Sequence, residues 1–130
     1  MGYRILVVDD SEIIRGVVRK SVNMSGLAVD VIFEAGNGVE ALKTLESEWI
    51  DIVFADLNMP EMNGMELVQK MSADNLLESI PVVVVSSEHS QARINELMEQ
   101  GIKAYIKKPF RPENFRDVVL EVLGDLTGEA

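Results

Sequence analysis

Ionisable and hydroxyl side chains follow four apolar segments of the sequence, at the point where each segment ends. Asp9 and Asp10 follow the first of these, Asp56 the second, Ser86 the third and Lys108 the fourth. A short apolar segment that stops at a polar residue is typical of a buried strand. In open α/β sheets, ligands bind beyond the carboxyl ends of the strands. These side chains are therefore candidates for one shared site.

Three carboxylates at neighbouring strand ends repel one another by several kcal/mol unless a cation or a proton intervenes. Asp9 and Asp10 come beside Asp56 if the first and third strands are neighbours. Oxygen ligands in an open site favour Mg²⁺ over Zn²⁺. With a lysine and a hydroxyl nearby, the pattern favours phosphoryl transfer, in which the carboxylate of Asp56 becomes an acyl phosphate.

Each of these residues also has an ordinary structural interpretation. An aspartate after a strand often forms a turn or caps a helix, which applies to Asp56 and to the pair Asp9 and Asp10. Lys108 taken alone is a solvated surface charge. For any single residue the ordinary interpretation is the better one, whereas the four strand ends together favour a functional site.

Strand-like and helix-like segments alternate five times along the chain. Strands are predicted at residues 3–8, 29–33, 52–55, 80–85 and 103–106, and helices start near residues 11, 38, 64, 90 and 112. Strict alternation predicts a parallel sheet covered by helices on both faces. The fourth strand is apolar throughout and is predicted in the interior of the sheet, and the fifth, less apolar, at an edge.

Two details of these elements have more than one interpretation. Asn37-Gly38 is a hairpin signal, but the spacing of Val39 and Leu42 after it favours the start of a helix. Trp49, the single tryptophan, is predicted to pack at a helix end rather than to form a platform for a ligand.

The composition excludes several classes of function. The 130 residues suffice for one domain, and the net charge of −10 opposes direct binding to nucleic acid or to anionic membranes. The first apolar segment meets Asp9 too early for a signal peptide, and no segment is long enough to span a bilayer, so a cytoplasmic location is expected. The absence of cysteine excludes thiol catalysis and Cys-ligated metals. Residues 124–130 are expected to form a loose tail, and no further domain is expected if the chain is full-length.

The motifs at the strand ends resemble those of one known family, the response-regulator receiver domains, and most closely its single-domain chemotaxis type, called CheY-like. The matching segments are Val7–Asp10, Asp56–Gly64, Val84–Ser87 and Lys108–Phe110. The resemblance runs from about Tyr3 to Leu123 with all motifs in order. It implies a flavodoxin-like (βα)5 fold, a doubly wound sandwich with a five-stranded parallel sheet in the order 2-1-3-4-5.

The resemblance implies a role for each matched residue. Asp56 matches the residue that accepts a phosphoryl group from a phosphohistidine of a sensor histidine kinase. Asp10, Asp56 and the backbone carbonyl of Asn58 match the Mg²⁺ ligands, and Asp9 matches a residue that acts through water. Lys108 matches the lysine that pairs first with Asp56 and then with the phosphoryl group, and the family often has a cis peptide after it.

Further positions match residues that tune the signal. Ser86 matches a Ser or, more commonly, a Thr whose hydroxyl reaches a phosphoryl oxygen, and Ser87 matches the small residue beside it. Tyr105 matches an aromatic switch residue, although an ordinary edge-strand aromatic fits equally well. Asn58 and Glu88 match the residues that tune hydrolysis, which predicts a short-lived phosphoryl group. A solvated loop charge is the alternative for Glu88.

The implied output is protein binding, and the only reactions expected of the chain are its own phosphorylation and dephosphorylation. The face from Ser90 to Gly124 is expected to bind a downstream protein when Asp56 is phosphorylated, with the chain a monomer or a phosphorylation-dependent dimer. Haloacid-dehalogenase-type phosphatases also use a strand-end aspartate, but they need a second acid where this chain has Asn58. Two alternatives stay open: a receiver cut from a longer regulator with an output domain, and an intermediate or sink of a phosphorelay.

Overall fold

Five strands and five helices alternate along the part of the chain that the computed structural model describes, residues 2–87 and 90–124. The strands are β1 (Tyr3–Val8), β2 (Val29–Ala35), β3 (Ile52–Ala55), β4 (Val82–Ser86) and β5 (Ala104–Lys107). The helices are α1 (Glu12–Met24), α2 (Gly38–Ser47), α3 (Gly64–Ser72), α4 (Gln91–Glu99) and α5 (Pro112–Leu123). The expected tail falls outside the described residues, apart from Gly124.

The strands form one parallel sheet in the order β2-β1-β3-β4-β5. This confirms the flavodoxin-like order, the interior place of β4 and the edge place of β5. β1 and β3 are paired with Val8 opposite Ala55, and the amide of Asp56 donates to the carbonyl of Val8 at 2.9 Å. The residues that follow these two strands therefore lie side by side.

Alternate residues of each strand face two separate helical layers, as the pleat of a strand requires. On β3, Ile52 and Phe54 face the layer of α1 and α5, whereas Val53 and Ala55 face the layer of α2, α3 and α4. The Phe54 ring meets the Phe115 ring of α5 edge to face at 5.2 Å. Both faces of β3 are thus buried, and its end at Asp56 is held from both sides.

The first turns of α1, α2, α3 and α4 are each stabilised by a Ser or Asn side chain at the N-cap. The side-chain oxygens of Ser11, Asn37, Asn63 and Ser90 each accept a hydrogen bond from the amide three residues later. The cap at Asn37 confirms that Asn37-Gly38 starts a helix and not a hairpin. None of the described helices has the length and apolar composition of a membrane span.

The expectation that Trp49 packs at a helix end is wrong. The Trp49 side chain is 75% exposed, and its indole N–H donates to Asp51 at 3.0 Å, while the neighbouring Ile50 is buried. The reason lies in the backbone, since α2 ends at Ser47 and Glu48 is already extended. Successive residues of an extended chain point to opposite sides, so only Ile50 enters the core.

Candidate functional site

Three carboxylates meet at the carboxyl end of the sheet. Asp9, Asp10 and Asp56 each offer one oxygen that lies within 4.8 Å of the others. Asp9 is buried, Asp56 is half-buried and Asp10 is exposed. The pairing of β1 with β3 produces this arrangement, because it places the residues after Val8 beside the residue after Ala55.

The buried Asp9 is held on its backbone and its side chain. One carboxylate oxygen accepts a hydrogen bond from the amide of Ser11 at 2.9 Å, and the backbone carbonyl accepts one from the Arg15 guanidinium at 2.6 Å. Burial raises the pKa of Asp9, and nearby Asp10 raises it further, whereas the Ser11 amide and the Lys108 ammonium oppose the rise. The ionised form of Asp9 is therefore disfavoured in the absence of a cation.

Asp56 lies in the same electrostatic environment. Its Oδ1 accepts a hydrogen bond from the amide of Leu57 at 2.9 Å, which fixes the direction of the carboxylate. Burial and the charge of Asp9 raise the pKa of Asp56, and Lys108 and the Leu57 amide oppose the rise. When the ionised form of a carboxylate is disfavoured and its charge is only partly compensated, a bound cation stabilises that ionised form.

Lys108 brings a positive charge to both inner carboxylates. Its Nζ lies 3.8 Å from an Asp9 oxygen and 3.9 Å from Oδ1 of Asp56, which is ion-pair distance but beyond a hydrogen bond. The Lys108 side chain is only 26% exposed, so solvent screens these pairs incompletely. The Lys108 ammonium thus lies within ion-pair distance of both Asp9 and Asp56 but is hydrogen-bonded to neither carboxylate.

The backbone of Lys108 is held in place from two directions. Its amide donates to the carbonyl of Ser86 at 2.9 Å, which ties it to the end of β4. Two residues later, the Phe110 ring packs edge to face on the Phe115 ring at 4.9 Å, and Phe115 is fully buried. The peptide between Lys108 and Pro109 is cis, as the resemblance implied.

The residues present fit a divalent cation. Three carboxylates against one ammonium leave two negative charges uncompensated when all are ionised. At an effective dielectric constant of about 20, each carboxylate pair at this spacing repels by about 3 to 4 kcal/mol. An all-oxygen donor set that stays open to water suits Mg²⁺ better than Zn²⁺. Asp9, Asp10 and Asp56 are the residues that would hold such an ion or its waters.

Asn58 lies in the loop between β3 and α3, and its side chain is exposed. This loop returns sharply, since the amide of Gly64 donates to the carbonyl of Leu57 at 3.1 Å. A Cβ on residue 64 would lie 2.6 Å from the backbone oxygen of Asp56, so the glycine permits α3 to begin beside the site. The expected backbone ligand Asn58 is thus in a tightly closed loop that starts at Asp56.

The expected switch residues lie at the carboxyl end of β4 and on β5. Ser86 is buried as the last residue of β4, and Ser87 follows it on the surface. Tyr105 is partly buried, pairs with Val84, and packs against the core on the side of α2, α3 and α4. Glu88, expected to tune hydrolysis, lies outside the described residues.

Three residues that contribute to the site were given no role from the sequence. Arg15 binds the backbone of Asp9 and also pairs with Glu34 at 3.0 Å, a contact between α1 and β2 with no local sequence signal. Phe110 was part of a motif, but its ring contact with Phe115 depends on the tertiary fold. Gly64 was treated only as a helix start, although its spacing from Asp56 is a signal of close backbone approach.

Comparison with known proteins identifies the family. The family model described as the response regulator receiver domain matches residues 5–120 of this chain. The chain belongs to the response regulator receiver family. It is 37% identical to a chemotaxis protein CheY homolog of Campylobacter jejuni over 97% of this chain and 96% of that protein. It is 36% identical to chemotaxis protein CheY1 of Helicobacter pylori over 93% of this chain and 97% of that protein.

A solved structure supports the same assignment. The chemotaxis protein CheY4 of Vibrio cholerae superposes with a TM-score of 0.81 at 29% identity, covering 95% of this chain and all of that one. This receiver domain is therefore CheY-like in sequence and in fold. Receiver domains are signalling proteins of two-component systems and not enzymes in the usual sense, and the family binds Mg²⁺ at an acidic pocket such as the one formed by Asp9, Asp10 and Asp56.

Proposed function

We propose that this receiver domain accepts a phosphoryl group on Asp56 with the help of Mg²⁺ and then signals by binding a protein. The observation that carries the proposal is the position of Asp56, which adjoins the carboxylates of Asp9 and Asp10 and faces the Lys108 ammonium at 3.9 Å. A carboxylate placed between a cation pocket and a lysine is equipped to attack a phosphorus atom.

The phosphoryl donor is a phosphohistidine of a sensor histidine kinase. A carboxylate oxygen of Asp56 attacks the phosphorus, the bond between phosphorus and the histidine nitrogen breaks, and the electron pair leaves with the imidazole. The bond between Leu57 N–H and Oδ1 of Asp56 holds the carboxylate in one orientation. The central place of β3 keeps the nucleophile rigid, which reduces the entropy lost in reaching the transition state.

Lys108 and Ser86 stabilise the negative charge of the transferred group. The Lys108 ammonium is within 4 Å of Asp56 and is not hydrogen-bonded to it, so it can follow the charge onto a phosphoryl oxygen. Asp10, Asp56 and the Asn58 carbonyl would hold Mg²⁺, with Asp9 acting through water, and the ion would supply further positive charge at the phosphoryl oxygens. The Ser86 hydroxyl donates to another of these oxygens.

The phosphoryl group is released by hydrolysis. Water attacks the phosphorus, the bond to the Asp56 oxygen breaks, and the carboxylate and inorganic phosphate are formed. The exposed amide of Asn58 lies in the loop that follows Asp56, where it can orient the water. A phosphoryl group with a lifetime well below hours is expected, and a lifetime of many hours in Mg²⁺ would contradict this assignment.

The output is a phosphorylation-dependent change in the face formed by α4, β5 and α5. Ser86 ends the neighbouring strand β4, Tyr105 lies on β5 within this face, and α4 and α5 expose Met98 and Leu120, apolar side chains that a protein partner can cover. A role in chemotaxis is supported by the CheY homologs that the chain matches over nearly their whole length. Phosphorylation of Asp56 shifts this face between two arrangements that exist beforehand, and the partner binds one of them.

Phosphoryl uptake from acetyl phosphate tests the proposal directly. The full chain is incubated with acetyl phosphate with and without Mg²⁺, and its intact mass is recorded. A mass gain of one phosphoryl group is expected only with Mg²⁺. No gain under either condition would overturn the proposed function.

Two variants assign the uptake to one carboxylate. Asp56→Asn is expected to abolish the gain. Asp30→Asn, which removes an exposed carboxylate of β2 that makes only a 3.5 Å contact with Arg4, is expected to leave the gain unchanged. Uptake by Asp56→Asn equal to that of the unsubstituted chain would place the phosphoryl group elsewhere.

A further inference from the structure

The loop that joins β3 to α3 is closed on itself. Besides the bond between Gly64 N–H and the Leu57 carbonyl, the amide of Met62 donates to the carbonyl of Pro60 at 2.7 Å. Glu61 has a φ of +65°, a left-handed conformation that is strained for a non-glycine residue. The bond from Gly64 to Leu57 closes the loop, and Glu61 lies within the inner turn from Pro60 to Met62, so the loop between β3 and α3 is constrained at two places.

A second segment, the turn formed by residues 36–38 at the start of α2, binds this loop. The amide of Gly38 donates to the carbonyl of Met62 at 3.2 Å, and the side-chain amide of Asn37 lies 3.4 Å from the Glu61 carboxylate. Two successive residues of the turn thus contact two successive residues of the β3–α3 loop. None of these four residues belongs to the carboxylate cluster.

The turn at residues 36–38 is held to α2 by two hydrogen bonds. The Glu40 carboxylate accepts a hydrogen bond from the amide of Gly36 at 3.1 Å, and the Asn37 side chain accepts one from the amide of Glu40 at 2.9 Å. These reciprocal bonds join the turn to the first residues of α2. Because α2 packs on the sheet through buried Ala41 and Leu45, the turn has little freedom to follow a displaced loop.

Gly38 is the point of closest contact between the two loops. A Cβ on residue 38 would lie 2.6 to 2.8 Å from the Cγ, Cβ and Sδ atoms of Met62. Because the Met62 Cβ is among these atoms, rotation of the methionine side chain cannot remove the overlap. The φ of Gly38 lies outside the left-handed region and the residue starts a helix, where alanine is preferred to glycine. The glycine is therefore required by Met62 and not by its own backbone.

We propose that Gly38 and Met62 position the Mg²⁺-binding loop, so that the width of residue 38 sets where the Asn58 carbonyl stands. The inference rests on the proposed function, since it concerns the same ion. Gly38 acts as a positioning residue through Met62 and touches no ligand. A larger residue 38 displaces Met62 away from α2, and the closed loop carries Asn58 with it.

Isothermal titration calorimetry of the unphosphorylated full chain with Mg²⁺ tests the inference. Gly38→Ala is expected to weaken Mg²⁺ binding about tenfold, the size of effect that loss of an outer positioning contact has on metal sites. Gly16→Ala is the matched control, because Gly16 is also a helical glycine but has no atom within 4 Å of an added Cβ. It is expected to leave Mg²⁺ affinity unchanged.

A compensating substitution separates positioning from a general loss of structure. Met62→Gly removes the three atoms nearest to a Cβ on residue 38, so in that background Gly38→Ala is expected to change Mg²⁺ affinity less than about twofold. An equal loss in both backgrounds would overturn the inference, as would an unchanged affinity of Gly38→Ala in the unsubstituted background.

A second variant keeps the test decisive if circular dichroism shows that Gly38→Ala does not fold. Asn37→Ser retains a capping oxygen for α2 but removes the side-chain amide that contacts Glu61 at 3.4 Å and Glu40 at 3.5 Å. It is expected to weaken Mg²⁺ binding about threefold, as loss of one ordinary hydrogen bond would, and unchanged affinity would overturn the inference. If the unsubstituted chain binds no Mg²⁺, the proposed function fails as well. If the unsubstituted chain binds Mg²⁺ and the variants bind it equally, only the positioning role fails.

Discussion

Gly64 lies against the backbone of Asp56, and a Cβ on residue 64 would come within 2.6 Å of the Asp56 carbonyl oxygen and 3.3 Å of the Leu57 Cα. Both of these neighbours are backbone atoms, so no side-chain rotation can relieve the overlap. The start of α3 and the end of β3 can therefore approach each other only because residue 64 has no side chain.

Gly64→Ala is expected to lower the free energy of unfolding by about 1 to 3 kcal/mol, the usual effect of forcing an extra carbon into a packed position. It should also slow phosphoryl uptake, because the strain falls on Asp56 and Leu57. Urea unfolding followed by circular dichroism measures the first effect, and intact mass the second. A variant as stable and as reactive as the unsubstituted chain would mean that α3 can shift freely.

Gly16→Ala is expected to raise the free energy of unfolding by about 0.5 to 1 kcal/mol. Gly16 lies inside α1 and an added Cβ meets nothing within 4 Å, so the gain in helix propensity is not offset by a clash. The same urea titration measures it. A loss of stability would indicate that α1 has a neighbour at this position.

Asp56→Asn is expected to stabilise the metal-free chain by about 1 kcal/mol at neutral pH, since it removes a half-buried charge that Asp9 repels. Folding raises the pKa of Asp56, so the folded state disfavours the ionised form. The resulting penalty is fully present above the raised pKa, declines as the pH falls through it, and is absent below the ordinary value of 3.8.

The advantage of Asp56→Asn should accordingly disappear on acidification. Urea titrations in a chelator, from neutral pH down to about pH 4, measure the difference. Asp30→Asn, an exposed substitution, is the control. A difference that stays constant with pH, or a less stable Asp56→Asn chain, would show that Lys108 already neutralises the carboxylate.

Phe110→Ala is expected to slow phosphoryl uptake. It removes the ring that packs on Phe115 at 4.9 Å and so loosens the segment that carries Lys108. The loss of packing should also lower the free energy of unfolding by about 2 kcal/mol, below the range for a fully buried phenylalanine.

Phe33→Ala is the matched control for Phe110→Ala. Phe33 is also partly buried against the core, but it lies on β2 beside Arg4, at the opposite edge of the sheet from β5, which precedes Lys108. Phe33→Ala is expected to lower the free energy of unfolding about as much as Phe110→Ala does and to leave the rate of phosphoryl uptake unchanged. Equal slowing in both variants would mean that uptake follows overall stability and not the placement of Lys108.

The alternation of elements and the presence of Asp9, Asp10 and Asp56 at one edge of the sheet could be predicted because they follow from local patterns. Apolar segments of strand length gave the strands, and a parallel sheet brings its carboxyl ends to one edge. The resemblance supplied the order of the strands and the roles of Asn58 and Lys108.

Other features depend on contacts between segments far apart in the sequence. The contact of Gly38 with Met62 and that of Arg15 with Asp9 involve pairs with no local signature. The prediction that Trp49 packs at a helix end was wrong, because the direction of a side chain between a helix and a strand depends on the residue at which the helix ends. The raised pKa of Asp9 reflects a depth of burial that composition does not reveal.

The exposed position of Trp49 has a spectroscopic consequence. The single tryptophan precedes β3, and Asp56 follows that strand, so the length of β3, about 13 Å, separates the fluorophore from the carboxylates. Because the indole is already largely in water, its emission maximum is expected to shift little when the chain unfolds and to be insensitive to ion binding. Fluorescence detection of events at Asp56 calls for a second indole, introduced in the loop after β3.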